Sequence, residues 1–221
     1  MAYYTLSPRK RNIFNSLSVT SILVLINVLA YFIFYLLIIG ETIPIDSVAI
    51  KPSNIFQGMY IWTFITSMFM HGGFFHLFVN MISLMFIGSL VEKIIGRKRF
   101  FWFYMIAGIA AGLFFVVSSP LFPGDFDTFA VGASGALFGL VGLLVLLTPN
   151  LPVYVMFIPI PIKIKYAAPG ILIVLWLISI AGNVPIGNTA HLGGLLAGLA
   201  YGIYLRNKYK KKARYIERYF R

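Results

Sequence analysis

Ser134 stands in Gly132-Ala133-Ser134-Gly135, at the head of the apolar run "FAVGASGALFGLVGLLVLL". A hydroxyl among three of the smallest side chains serves one of two purposes. Gly135-x-x-x-Gly139 is a small-residue face of the kind that packs membrane helices together. A serine nucleophile has the same need, because a substrate backbone must approach its Oγ unobstructed. Such a serine requires a base, and the chain offers three histidines, His71, His76 and His191, with Asn80 one helical turn beyond His76. The chain has no cysteine, which removes disulfides, thiolate metal ligands and cysteine nucleophiles together.

The elements that must position these groups are membrane helices. Of 221 residues, 60% are hydrophobic and 11% charged, and the mean hydropathy is +0.89. A soluble domain carries about 25% charged residues. Apolar stretches predict six spans, at 20–39, 73–91, 100–118, 134–148, 168–182 and 190–205. With six spans, alternate connections share a side. The N-terminal arm, the 92–99 loop, the 149–166 loop and the C-terminal tail then hold 17 of the 18 Lys and Arg, all but Lys51. Glu41, Asp46, Asp125 and Asp127 fall on the other side. The positive-inside rule puts both termini in the cytosol. The expected fold class is an all-α membrane protein: a cytosolic arm (1–19), a six-helix membrane domain (20–205) and a basic cytosolic tail (206–221).

The net charge of +12 lies in blocks between apolar segments, which reads as topology and contact with anionic lipid headgroups rather than as a nucleic-acid surface. The first apolar segment is long enough to span and no small-residue cleavage site follows it, so no cleavable signal peptide is expected. The long connection 40–72 is unusually apolar, with Tyr60 and Trp62 suited to headgroup depth. The stretch "LPVYVMFIPIPIKIKY" carries Pro152, Pro159 and Pro161 and is expected to be an interfacial connector rather than a helix.

Spans 2, 4 and 6 begin on the same outer side. That puts His71, His76, Asn80, Ser134 and His191 at one level, and polar groups in a bilayer are by default functional or packed inward. Span 4 is about 22 Å long at roughly 1.5 Å per residue, against a hydrocarbon core of about 30 Å. Ser134 is therefore expected several ångströms below the outer surface, in a recessed pocket that water or protein covers.

"HGGFFHLFVN" at 71–80, "GASG" at 132–135 and "AHLGGLLAG" at 190–198 resemble the three signature motifs of the rhomboid family of intramembrane serine proteases. In that family they fall on the second, fourth and sixth helices of a six-helix core. The resemblance covers about the whole chain and implies a role for each matching residue. Ser134 is the nucleophile, with Gly132 and Gly135 clearing its approach, and His191 is the general base. Gly194 and Gly198 let span 6 press against span 4. The oxyanion donors are the Ser134 backbone N–H, His76 and Asn80, while His71 has a supporting hydrogen-bonding role. No aspartate or glutamate lies within a span, so the catalytic unit is a Ser–His dyad. Phe138, four residues after Ser134, is placed to stack beneath the imidazole, where the family often has tyrosine. Trp62-Thr63 stands where many family members have Trp-Arg.

The expected activity is endoproteolysis of other proteins' transmembrane segments near their outer end, through an acyl-enzyme. A helix hides its scissile carbonyls, so small or helix-destabilising residues are expected near the cut. Span 5 and the loop 183–189 are the expected moving parts for lateral substrate access. The partners are membrane-protein substrates and the lipid bilayer, with no nucleic acid, cofactor or metal. Six spans without an appended domain resemble the simpler prokaryotic form, which suggests a prokaryotic plasma membrane. The alternative is a catalytically inactive relative that binds and escorts membrane proteins. Other chemistries fit less well. His71 and His76 are five residues apart rather than four, and no HExxH is present for zinc. No aspartate pair lies within spans, and no charged or paired broken helices mark a transporter.

Overall fold

Ser18 opens the first long helix, α1 (Val19–Ile39), its Oγ accepting a hydrogen bond from the Ser21 N–H at 3.0 Å. A serine cap satisfies one of the amides that a first helical turn leaves free. Two more are met from far along the chain. The buried Glu92 carboxylate accepts from the Val19 and Thr20 N–H groups at 2.9 and 2.8 Å, and from the Thr20 hydroxyl at 2.7 Å. Beyond this cap α1 buries a narrow stripe, Leu23, Asn27 and Tyr31, and leaves Leu25, Leu29, Phe32, Ile33 and Leu36 exposed. An apolar exterior of that kind suits lipid rather than water.

The computed structural model describes residues 17–122, 124–155, 159–182 and 187–220. Most of the arm expected over 1–19, the middle of the proline-rich connector and residues 183–186 of the 183–189 loop lie outside the described residues. After α1 come a 3-10 turn (Ile45–Ser47) and two short helices, α2 (Pro52–Phe56) and α3 (Thr63–Thr66). A helical rod follows, made of α4 (Phe74–Ser83), a π-helical turn (Leu84–Gly88) and α5 (Ser89–Ile95). Then come α6 (Arg97–Ser118), α7 (Ser134–Leu147), β1 (Pro152–Val153), β2 (Ile162–Lys163), α8 (Ile164–Gly182), α9 (Asn188–Lys208) and α10 (Lys210–Tyr219).

By length and apolarity, four helical runs among the described residues qualify to cross a membrane: Val19–Ile39, Phe74–Ile95, Arg97–Leu121 and Ile164–Gly182. The molecule is a mostly helical, multi-pass integral membrane protein. α7 is apolar but has only 14 residues. It is also the most enclosed helix, buried at Gly135, Ala136, Leu137, Gly139, Leu140, Gly142, Leu143, Leu144 and Leu147. α6 meets it through Ala107 and Ala111, and α9 meets it through glycines. Without bulky side chains between them, these helices gain dispersion contacts backbone to backbone, the main driving force where lipid is as apolar as protein.

The apolar connection 40–72 is fastened to the bundle rather than free. Ile50 and Ala130 exchange backbone hydrogen bonds at 3.2 and 2.9 Å, and the Ser53 N–H donates to the Phe126 carbonyl at 3.0 Å. Met68 enters the space above Gly108 on α6, where a Cβ would come within 2.1 Å of its methyl carbon. The exposed Trp62 donates its indole N–H to the Ser47 carbonyl at 2.9 Å, and the buried Thr63 hydroxyl closes a turn onto the Tyr60 carbonyl at 2.7 Å. These bonds hold the connection against the bundle.

Three features differ from the sequence expectation. The proline-rich connector pairs its ends as a short antiparallel ladder, Pro152 with Lys163 and Val153 with Ile162. α8 begins at Ile164, four residues before the expected span, with Pro169 still within its first turns. The basic tail carries a helix, α10, docked through the buried Ala213.

Candidate active site

Gly132 sets the approach to α7. Its φ of 117° lies where a side chain is strained, and its N–H donates to the Ser67 carbonyl at 2.8 Å. This fastens the loop to the 40–72 connection and turns the chain so that α7 begins at Ser134. The Ser134 backbone N–H falls in the first turn, where amides have no intrahelical acceptor and the helix dipole favours negative charge.

Ser134 Oγ lies 2.8 Å from His191 Nε2. The histidine sits in the first turn of α9, its own N–H donating to the Gly187 carbonyl at 3.0 Å. Phe138, one turn below Ser134, stacks on the imidazole with centroids 4.6 Å apart and planes 24° from parallel. His191 Nδ1 is buried and has no hydrogen-bond partner among the described residues. The ring is therefore oriented by stacking and by the serine, without a carboxylate.

A Cβ on Gly132 would stand 2.8 Å from His76 Cε1, 3.0 Å from its Nε2 and 3.8 Å from Ser134 Oγ. The missing side chain thus leaves a notch bounded by the His76 imidazole and the serine hydroxyl. His76 Nδ1 accepts from the Gly72 N–H at 3.3 Å. In a neutral ring this places the hydrogen on Nε2, the nitrogen that faces the notch. Asn80, buried on the same face of α4, donates one amide hydrogen to the His76 carbonyl at 2.8 Å, which leaves a second hydrogen.

His71 is buried beneath this group. Its ring lies edge-on to His76, centroids 5.3 Å apart, and to Tyr31 at 6.5 Å. Its buried nitrogens meet no side-chain partner among the described residues, and the Phe69 backbone is the polar group beside them. The supporting role proposed for His71 would run through that backbone group, while its ring packs edge-on against His76. Among the described residues, no group of three His, Asp or Glu side chains is close enough to share a metal ion.

Two contributors were not anticipated. The buried Thr189, two residues before His191, donates its hydroxyl to Asp125 Oδ2 at 3.0 Å. Burial pushes the Asp125 carboxyl up from its ordinary value, and the Thr189 hydrogen bond opposes that shift. Ser67 is the other, acting through its backbone carbonyl, for which no residue type gives a signal.

A helical membrane bundle with a part-buried serine–histidine pair between two glycine-packed helices defines a class, and similarity to known proteins narrows it. The Rhomboid domain family model matches residues 59–208. The chain belongs to the rhomboid family, whose members are generally intramembrane serine proteases. It is 38% identical over 145 residues to RHOMBOID-like protein 5 of Arabidopsis thaliana, covering 65% of this chain and 44% of that protein. It is 32% identical over 156 residues to Rhomboid protein 1, mitochondrial, of Saccharomyces cerevisiae, covering 67% and 43%. It is 34% identical over 140 residues to Inactive RHOMBOID-like protein 8 of Arabidopsis thaliana, covering 62% and 36%. The chain spans less than half the length of each.

Proposed function

We propose that this chain is an intramembrane serine endopeptidase that cleaves transmembrane segments of other membrane proteins near their outer end. The observation that carries the reading is the 2.8 Å approach of Ser134 Oγ to His191 Nε2. In the proposed reaction the imidazole takes the serine proton as Oγ attacks the scissile carbonyl. The oxyanion forms toward the notch at Gly132, within reach of the Ser134 N–H, the His76 Nε2–H and the free amide hydrogen of Asn80. Each such donor is worth roughly 3–4 kcal/mol of barrier. Collapse expels the amine, which takes the proton back from His191, and leaves an acyl-serine. Water, deprotonated by the same imidazole, then hydrolyses the ester.

The topology proposed with this reading has six spans, 20–205, between a cytosolic arm and a basic cytosolic tail, supported by the charge distribution. α7 is shorter than a span should be, which fits a serine sunk below the outer surface. Lateral access past α8 fits its packing. Its buried residues, Ile164, Ala167, Ala168 and Leu172, all lie in its first half, and the second half holds few contacts that separation would break. The relatives named above are plant and yeast mitochondrial proteins, so they lend no support to a prokaryotic plasma membrane, and the proposal is held to an integral membrane location.

One relative is named inactive, and an escort that binds without cutting is the competing reading. Purified protein incubated with a generic single-span substrate separates the two. Cleavage by wild type that is lost in both Ser134→Ala and His191→Ala, and is unchanged by chelators, is the expected result. Binding without cleavage by wild type, under conditions where the fold is intact, overturns the proposal in favour of the escort.

A further inference from the structure

α6 and α9 stack Phe103 on Tyr201, centroids 4.7 Å apart. Beside that stack they leave a cavity of about 440 Å³. Its wall is apolar, made by Trp102, Phe103, Ile106, Ala197 and Tyr201, and its mouth carries Lys98 and Arg99. Trp102 and Ile106 are 57% and 59% exposed, so the groove is open sideways along the bundle exterior. Neither cation is paired with a carboxylate among the described residues; the ion pairs lie elsewhere, at Lys51–Asp127, Arg97–Glu92 and Arg206–Glu217. Arg99 is nonetheless held in place, donating to the Tyr209 hydroxyl at 3.1 Å with its guanidinium 5.3 Å from that ring's centre.

The dimensions identify an occupant. From Lys98 to Ile106 the helix rises about 12 Å at roughly 1.5 Å per residue. One leaflet's hydrocarbon is about 15 Å thick. The groove therefore begins at headgroup level on the basic end of the bundle and runs most of one leaflet deep. Two unpaired cations at the mouth call for an anion, and apolar walls call for an acyl chain. A free phosphate would leave the walls empty, and a neutral lipid would leave the cations unmatched.

We propose that this groove binds an anionic phospholipid, its charged headgroup at Lys98 and Arg99 and one acyl chain along Trp102, Ile106 and Ala197. The site shares no lining residue with the Ser134–His191 pair and does not depend on the catalytic reading. Occupancy would tie α6 to α9, the helix that carries His191.

Trp102 is a built-in reporter. In an otherwise wild-type chain carrying Trp62→Phe and Trp176→Phe, brominated phosphatidylglycerol and brominated phosphatidylcholine are titrated into mixed micelles. A cation near an anionic headgroup favours binding roughly fivefold, so two give a preference for phosphatidylglycerol on the order of 25-fold. Lys98→Gln with Arg99→Gln should abolish that preference, and Lys210→Gln with Lys211→Gln in the tail should not. Ala197→Phe, which fills the groove and keeps its charges, should remove quenching by both lipids. It also decides the matter if the charge variant does not fold. Equal quenching by the two lipids overturns the proposal. So does a preference that survives the Lys98 and Arg99 changes, or quenching that survives Ala197→Phe. Loss of the preference in the tail variant, or displacement of the lipid by inorganic phosphate, overturns it as well.

Discussion

A Cβ on Gly194 would stand 2.0 Å from the carbonyl oxygen of Gly135. Gly135 follows Ser134 directly, and Gly194 is three residues after His191, so this backbone contact lies beside the serine–histidine pair. One turn further on, a Cβ on Gly198 would lie 2.1 Å from the Gly139 carbonyl. The 2.8 Å separation of Oγ and Nε2 is thus set by how closely two helix backbones are allowed to approach. Gly194→Ala should force α9 away from α7. Overpacking of this sort costs about 1–3 kcal/mol, and the widening falls where the pair must meet. A lower melting temperature together with loss of fluorophosphonate labelling at Ser134 is expected. Gly170→Ala on α8, where a Cβ meets nothing within 4 Å, should change neither.

His76 faces the notch with a nitrogen whose hydrogen is fixed by the bond from Gly72 to the opposite side of the ring. On the proposed reading it donates to an oxyanion that exists only once the carbonyl is tetrahedral, so its loss should appear in kcat. His76→Ala is expected to lower kcat by about 10²–10³ and leave KM near its original value. Steady-state cleavage of a single-span substrate measures both. An effect confined to KM would remove His76 from the oxyanion site.

On the proposed reading, Phe138, stacked on His191, takes over the orienting task that an aspartate performs in a triad. Aromatic stacking contributes about 0.5–1.5 kcal/mol beyond simple burial. Phe138→Leu keeps most of the volume and loses the ring, and should reduce kcat/KM by roughly 2–10-fold. Phe138→Tyr should restore the stack and stay close to wild type. A leucine variant as active as wild type would mean that the ring only fills space.

The candidate site was legible in the sequence through the three motifs that carry the family resemblance, each of them weak alone. Ser134 and Phe138 are one helical turn apart, His191 heads another helix, and the glycines that bring the two helices together lie in the same motifs. What the sequence left unmarked are contacts between distant segments through backbone atoms or ordinary side chains. The Ser67 carbonyl that receives the Gly132 N–H has no side-chain signature. Asp125 reads only as an outer-loop charge until Thr189 is found 3.0 Å away. The π-helical turn at Leu84–Gly88 is hidden for a related reason. Its residues are as helix-compatible as their neighbours, and the turn coincides with the place where Gly88 admits Thr20 and Phe100.

Asp125 gives a pH-dependent expectation. Its folded-state value is raised above the ordinary 3.8, chiefly by burial. The native state therefore binds the proton more tightly than the unfolded chain does. The associated stability is complete below about pH 3.8 and is lost as pH rises through the folded value. Asp125→Asn keeps an acceptor for Thr189 without the half-buried charge. Its melting temperature should exceed that of wild type at pH 7, with the difference closing toward pH 3. A difference independent of pH would show that the carboxylate's charge is not involved.

Glu92 offers a test of architecture separate from chemistry. One carboxylate accepts three hydrogen bonds from the start of α1, two from amides that a first turn cannot satisfy internally, while Arg97 stands 3.8 Å away. Hydrogen bonds to a charged group contribute about 1.5–3 kcal/mol each, although the three here share one group and will not add fully. Glu92→Gln retains one acceptor oxygen, and turns the other position into a donor facing donors. A loss of a few kcal/mol is expected, seen as a clear fall in melting temperature. Thr20→Val removes only the hydroxyl bond and should cost about 1 kcal/mol. Because Glu92 and Thr20 lie at the opposite end of the bundle from Ser134, labelling of the serine per folded molecule should stay within about twofold of wild type in both variants. A collapse of labelling with an unchanged melting temperature would mean that the α1 cap is coupled to the site itself.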